Sequence, residues 1–120
     1  TNYSVLVIDD DDELRSFLKD NLAAYYHVDV AIDGVEGRKK AITQQPDIII
    51  SDVIMPNMDG ITFLKALKSK PEHKFTPVVM LTTESQEAKK KEGQSAGARA
   101  WIVKPFQPTQ LLTAVEKLIL

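Results

Sequence analysis

Five times in 120 residues, a short apolar run is followed by a stretch with helical spacing. The runs are Val5-Leu6-Val7-Ile8, Val28 to Ile32, Ile48-Ile49-Ile50, Val78-Val79-Met80-Leu81 and Trp101-Ile102-Val103. Four are near-continuously apolar, as strands covered on both faces of a sheet are. The second alternates apolar with polar or small residues at Val28, Val30 and Ile32, and reads as half-buried. Strict alternation of strand and helix points to a parallel sheet with helices on both faces, since parallel neighbours are joined by crossovers. Those crossovers should be right-handed.

Between the runs, Leu14, Phe17, Leu18 and Leu22 place helix one from near Asp12. Asp33-Gly34 reads as a turn, and helix two follows from about Val35 to Gln45 with a thin apolar stripe. Ile61, Leu64 and Leu67 mark helix three from near Gly60. Residues Ser69 to Pro77, with two prolines and His73, read as a loop. Residues 86–96 have few large apolar groups and read as a weakly anchored helix four, ended by Gly97. Helix five runs from about Pro108 to Leu120 with Leu111, Leu112, Val115, Leu118 and Ile119 on one stripe. The length suits one domain, residues 1–120, with a single enclosed core.

Composition narrows the function classes. A net charge of -2 carries no basic nucleic-acid footprint, so no direct nucleic-acid contact is expected. No apolar run approaches the roughly 20 residues of a membrane span. The chain has no cysteine, which excludes disulfides and thiolate chemistry and fits a reducing, cytoplasmic setting.

The chemistry gathers where the strands end. Asp9 and Asp10 follow strand one, Asp52 follows strand three, Thr82 and Thr83 follow strand four, and Lys104 follows strand five. In a parallel sheet all these ends point one way, into the crevice where open α/β sheets place their sites. Carboxylates clustered this way need cations to stay ionised. Lys104 supplies one, and a divalent ion would bring the cluster close to neutrality. Oxygen-only ligands favour Mg²⁺ or Mn²⁺ over zinc. A hard ion, an ammonium and a hydroxyl together can clamp a phosphoryl group, and a carboxylate can accept one as an acyl phosphate. Asp52 stands alone at its strand end and is the best nucleophile. Other roles are open to the same residues: Asp11, Asp12 and Glu13 suit a helix start, Asp9 and Asp10 fit capping equally well, and Thr82 and Thr83 could cap helix four. Lys89-Lys90-Lys91 reads as a solvated face or a contact for an acidic partner.

These residues carry a resemblance. Asp9-Asp10, Asp52 with Met55-Pro56 and Asp59-Gly60, Thr82, and Lys104-Pro105-Phe106 occur in the order seen in receiver domains of two-component response regulators. The likeness covers essentially the whole chain. It implies a flavodoxin-like, doubly wound sheet of five parallel strands in order 2-1-3-4-5. It also implies Asp52 as phosphoacceptor, with Asp9, Asp10, Asp52 and the Ile54 backbone carbonyl around Mg²⁺. Thr82 and Lys104 would hold the phosphoryl oxygens, and the Lys104-Pro105 bond would be cis. Thr82 and Trp101 would switch, Trp101 standing where the family usually has Tyr or Phe. The implied partners are a histidine kinase or His-containing phosphotransfer protein, and a downstream target on the face of helix four, strand five and helix five.

Leu-Thr-Thr-Glu-Ser at 81–85 and Trp-Ile-Val-Lys-Pro-Phe at 101–106 look like the single-domain chemotaxis type. A chain ending at helix five fits a stand-alone regulator; a receiver cut from a transcriptional regulator or hybrid kinase is the alternative. Ile54 has no polar side chain to orient water, so slow self-dephosphorylation is expected. An aspartyl-nucleophile phosphatase would typically carry an acid there, which argues against turnover of an external substrate. A flavodoxin-like nucleotide or flavin module would need a glycine-rich loop after strand one, where acids stand instead.

Overall fold

The computed structural model describes residues 3–55, 58–83 and 89–119. Its strands are β1 (Ser4–Ile8), β2 (His27–Ala31), β3 (Ile48–Asp52), β4 (Val78–Thr82) and β5 (Ala100–Val103). The helices are α1 (Asp12–Leu22), α2 (Gly34–Gln44), α3 (Gly60–Lys68), α4 (Lys90–Ser95) and α5 (Pro108–Ile119). All strand pairs are parallel, in the order β2-β1-β3-β4-β5.

The period-two rule sorts the strand residues into two cores. Leu6, Ile8, Ile49, Val78 and Met80 point to one face, where Ala41 of α2 and Ile61, Phe63, Leu64 and Leu67 of α3 cover them. Val5, Val7, Ile48, Ile50, Val79 and Leu81 point to the other, under Leu18 and Leu22 of α1 and Leu111 and Val115 of α5. Every residue of β3 and β4 is buried. The continuous apolar runs therefore reflect a sheet sandwiched between helical layers. No helix among the described residues is long and apolar enough to cross a membrane.

Helix starts follow from local chemistry. Asp11 N-caps α1 by accepting from the Glu13 and Leu14 amides. Asp33 N-caps α2 through Glu36 N, while Glu36 Oε1 accepts from Ile32 N, a reciprocal arrangement close to a capping box. Asp33-Gly34 is thus the helix start rather than a separate turn. Asp59 caps α3 through Thr62 N.

Three expectations need correction. Ile32 lies outside β2 and is exposed, because the chain has already turned to cap α2. The segment Ser69 to Pro77 contains a 3-10 turn, Pro71–His73, that buries His73. Lys68 anchors it, its Nζ donating to the carbonyls of His73, Lys74 and Thr76. Helix four occupies only Lys90–Ser95 among the described residues, with Lys89 at its start and no side-chain cap. Residues 86–88 of the expected helix, together with Pro56, Glu84 and Ser85 of the quoted motifs, lie outside the described residues.

Candidate functional site

Register alone brings the four strand ends together. Ile8 pairs with Ser51, so Asp9, just past β1, stands level with Asp52 at the end of β3. Asp52 pairs with Leu81 and Thr82 with Val103, which places Thr82 and Lys104 one step further across the same edge. The Lys104 amide donates to the Thr82 carbonyl at 2.6 Å, extending the ladder past β5. The Lys104-Pro105 peptide bond is cis.

At this edge Lys104 meets the two buried acids. Lys104 Nζ donates to Asp52 Oδ2 at 2.9 Å and lies 3.5 Å from Asp9 Oδ2. Asp9 is 0% exposed and Asp52 7%, whereas Asp10 faces solvent. Asp9 Oδ1 accepts from the Asp11 amide at 2.9 Å. Asp9 Oδ2 is buried with no hydrogen-bond partner, its approach to Lys104 being an ion-pair contact only. Thr82 is fully buried, and its hydroxyl donates to the Thr83 carbonyl at 3.2 Å. Among the described residues α4 starts at Lys89 and has no side-chain cap.

One ammonium thus serves two carboxylates, and the electrostatics are unequal. Burial pushes the Asp9 carboxyl above the usual carboxylate range, with the charges of Asp52 and Asp10 adding to the rise. The Asp11 N–H and the Lys104 charge oppose it without cancelling it. Burial would lower Lys104, but its hydrogen bond to Asp52 and the charges of Asp52 and Asp9 hold it above the ordinary lysine value. The cluster is therefore short of positive charge. Asp9, Asp10 and Asp52 each place a carboxylate oxygen within 4.8 Å of the others. Hard oxygen donors at that spacing, one of them an orphaned buried oxygen, fit a divalent ion such as Mg²⁺.

The loop past β3 depends on glycine. A Cβ at Gly60 would collide with the Asp52 carbonyl and crowd Val53 Cα, so the chain can return beside the acid only without a side chain there. Gly60 N donates to Val53 O at 2.7 Å. Ile54 lies just beyond the strand and is 51% exposed.

Comparison with known proteins decides the family. Residues 5–116 match the response regulator receiver domain. The chain is a response regulator receiver domain. Its fold superposes on chemotaxis response regulator CheY4 of Vibrio cholerae with a TM-score of 0.92 and 44% identity, covering 98% of this chain and 99% of that one. Among curated proteins it is 36% identical over 119 residues to the alkaline phosphatase synthesis transcriptional regulatory protein PhoP of Bacillus subtilis, covering 98% of this chain and 49% of that protein. It is 35% identical over 116 residues to the DNA-binding dual master transcriptional regulator RpaA of Synechocystis, covering 96% of this chain and 48% of that protein. The receiver domain thus spans about half the length of these curated relatives. Receiver domains are phosphorylation-dependent signalling switches and not enzymes that turn over an external substrate.

Trp101 is the aromatic residue of β5. Its ring packs against the core beneath α3 and α4, and a Cβ at Gly93 of α4 would collide with it. Its indole Nε1 is buried without a hydrogen-bond partner. Arg15 was not singled out from sequence. Its Nη1 donates to the Asp9 carbonyl at 2.9 Å and its Nη2 pairs with Asp12, bracing the acidic turn. The signal was its place one helical turn after Asp12.

Proposed function

We propose that Asp52 accepts a phosphoryl group from a phosphohistidine on a kinase or phosphotransfer protein. The observation that carries this is the Lys104 Nζ–Asp52 Oδ2 contact at 2.9 Å inside the cluster of Asp9, Asp10 and Asp52. A carboxylate oxygen of Asp52 attacks phosphorus. The new P–O bond forms as the P–N bond breaks, and the electron pair leaves with the imidazole nitrogen, which takes a proton from solvent. Lys104 balances charge on the transferring oxygens. Asp9, Asp10, Asp52 and the Ile54 carbonyl would hold Mg²⁺, which supplies further neutralisation of that charge.

The product carries about one more negative charge than the free carboxylate. Thr82 then exchanges its bond to the Thr83 carbonyl for one to a phosphoryl oxygen. That shift moves the start of the segment leading to α4 and biases Trp101, whose ring lies on Gly93. The face of α4, β5 and α5 changes its preference for a downstream target. A cavity of about 380 Å³ between β5 and α5, bordered by Trp101, Gln110 and Lys117, supports that face as the contact. The likeness to CheY4 along nearly the full length of both chains supports a role in chemotaxis or motility, in the cytoplasm.

A second reading has its own support. The relatives of about twice this length are transcriptional regulators, which favours a receiver belonging to a longer regulator with the same chemistry. Incubation with Mg²⁺ and a small phosphodonor, followed by intact mass, tests the shared core of both. A gain of one phosphoryl group that is absent in Asp52→Asn is expected. No gain with any donor would refute the assignment of Asp52.

A further inference from the structure

The α2 helix is built inside out. Its buried residues are Gly34, Gly37 and Ala41, and Gly37 sits so close to Ile8 that a Cβ there would approach the Ile8 side chain to 2.5 Å. Its large aliphatic residues face the other way: Val35 is 41% exposed and Ile42 43%. An amphipathic helix normally puts its bulk inward and its polar groups outward. Here Val35, Arg38, Lys39 and Ile42, at spacings of three, four and seven, form one outer stripe. With Met58, from the loop after β3, they line a groove of about 350 Å³. Gly34 leaves room for Met58 against the helix, since a Cβ there would lie 2.7 Å from the Met58 carbonyl.

The charges of the groove are equally uneven. Lys40 on the same helix pairs with Asp29 at 3.3 Å and Glu36 at 4.0 Å. Arg38 and Lys39 are exposed and enter no ion pair among the described residues. Two uncompensated cations thus flank an apolar channel on a chain whose net charge is -2. None of these residues belongs to the Asp52 cluster or to the face of α4, β5 and α5.

We propose that this groove docks an acidic amphipathic helix of a partner protein. Leucine-like residues of that helix would fill the channel between Val35, Ile42 and Met58, and its flanking carboxylates would pair with Arg38 and Lys39. Charge complementarity selects this occupant. A second copy of the chain, related by a two-fold axis, would bring Arg38 and Lys39 against their own counterparts. An anionic membrane would meet only these two cations against a net negative molecule.

The test uses two synthetic helical peptides with the same leucine face, one flanked by glutamates and one by lysines. Amide shifts of the ¹⁵N-labelled protein are followed during titration. The acidic peptide should move the amides of Val35, Arg38, Lys39, Ile42 and Met58, and the lysine peptide should not. The double variant Arg38→Glu, Lys39→Glu should weaken acidic-peptide binding about tenfold or more, and Ile42→Ser should weaken it independently, both with unchanged phosphoryl uptake from a small donor. Equal binding of the two peptides, or shifts confined to other faces, would overturn the proposal. So would concentration-dependent shifts of the same amides without peptide, which would mean self-association, or binding of anionic vesicles in place of the peptide.

Discussion

Lys104 Nζ lies 2.9 Å from Asp52 Oδ2 and 3.5 Å from Asp9 Oδ2, so a single ammonium stands between two buried carboxylates. Asp52 receives its hydrogen bond and Asp9 does not. The pair that forms therefore leaves a second acid poorly served, and much of the domain's behaviour follows from that inequality.

The first consequence concerns stability without metal. The folded pKa of Asp9 is raised, so the folded state holds the Asp9 proton more tightly than the unfolded chain does. Stability is then lost as pH rises from the ordinary carboxylate value of 3.8 through the raised one, and it stays lower at neutral pH. Asp9→Asn keeps an oxygen for the Asp11 amide and removes the charge. In EDTA at neutral pH it should melt at a higher temperature than wild type, with the gap closing toward pH 3. Mg²⁺ should raise the melting temperature of wild type more than that of the variant. A lower melting temperature for Asp9→Asn in EDTA would contradict the assignment.

Lys104 titrates in the opposite sense. Its raised folded pKa contributes stability that is fully present below the unfolded value of 10.5 and lost as pH rises through the folded one. Lys104→Met should remove about 1.5–3 kcal/mol at neutral pH, the usual worth of a hydrogen bond to a charged group. Urea melts of both proteins check this. The difference should shrink above pH 10.5, where the unfolded chain loses the lysine proton first and the folded state loses it later. The variant should also accept phosphoryl from a small donor far more slowly. Normal uptake would remove Lys104 from the transfer step.

Gly93 and Trp101 set two effects against each other. Gly93→Ala gains about 1 kcal/mol of helix propensity in α4. It also drives a methyl into the indole ring, an overpacking cost of about 1–3 kcal/mol. The cost should win, because the ring is seated on the core side of β5 and must leave it to make room. Trp101 is the only tryptophan, so its emission reads the displacement directly. A red-shifted emission maximum and a lower melting temperature are expected. A more stable variant with unshifted emission would show that the ring has room to spare.

These relationships differ in how far the chain itself announces them. The apolar runs declared their strands because β3 and β4 are buried on both faces, which leaves no polar position in the run. Asp9, Asp52, Thr82 and Lys104 were readable as a set because parallel strands share one carboxyl edge. The order 2-1-3-4-5 was not readable from periodicity, which says nothing about which strands are neighbours; it came with the family resemblance. Helix α2 looked thin because its inward residues are Gly34, Gly37 and Ala41, and glycine gives no hydrophobic signal although Ile8 needs its space. His73 looked like a loop residue because its burial depends on Lys68 drawing three carbonyls inward from another element.

With Asp52 as the proposed phosphoacceptor, Ile54 is expected to set how long the signal lasts. Hydrolysis of an aspartyl phosphate requires a water placed in line with the phosphorus, opposite the Asp52 oxygen. Ile54 is two residues past Asp52 and exposes an aliphatic side chain, which can shield that approach but cannot hydrogen-bond a water. An amide in its place could hold the water without adding charge to a cluster already short of cations. Ile54→Asn should therefore shorten the phosphorylated lifetime several-fold, with little change in the rate of phosphoryl uptake from a small donor. The decay of phosphorylated protein, followed by intact mass after removal of the donor, measures it. Equal or slower decay in Ile54→Asn would mean that water access is limited elsewhere, with the Lys104 ammonium and the buried Thr82 hydroxyl as the next groups to vary.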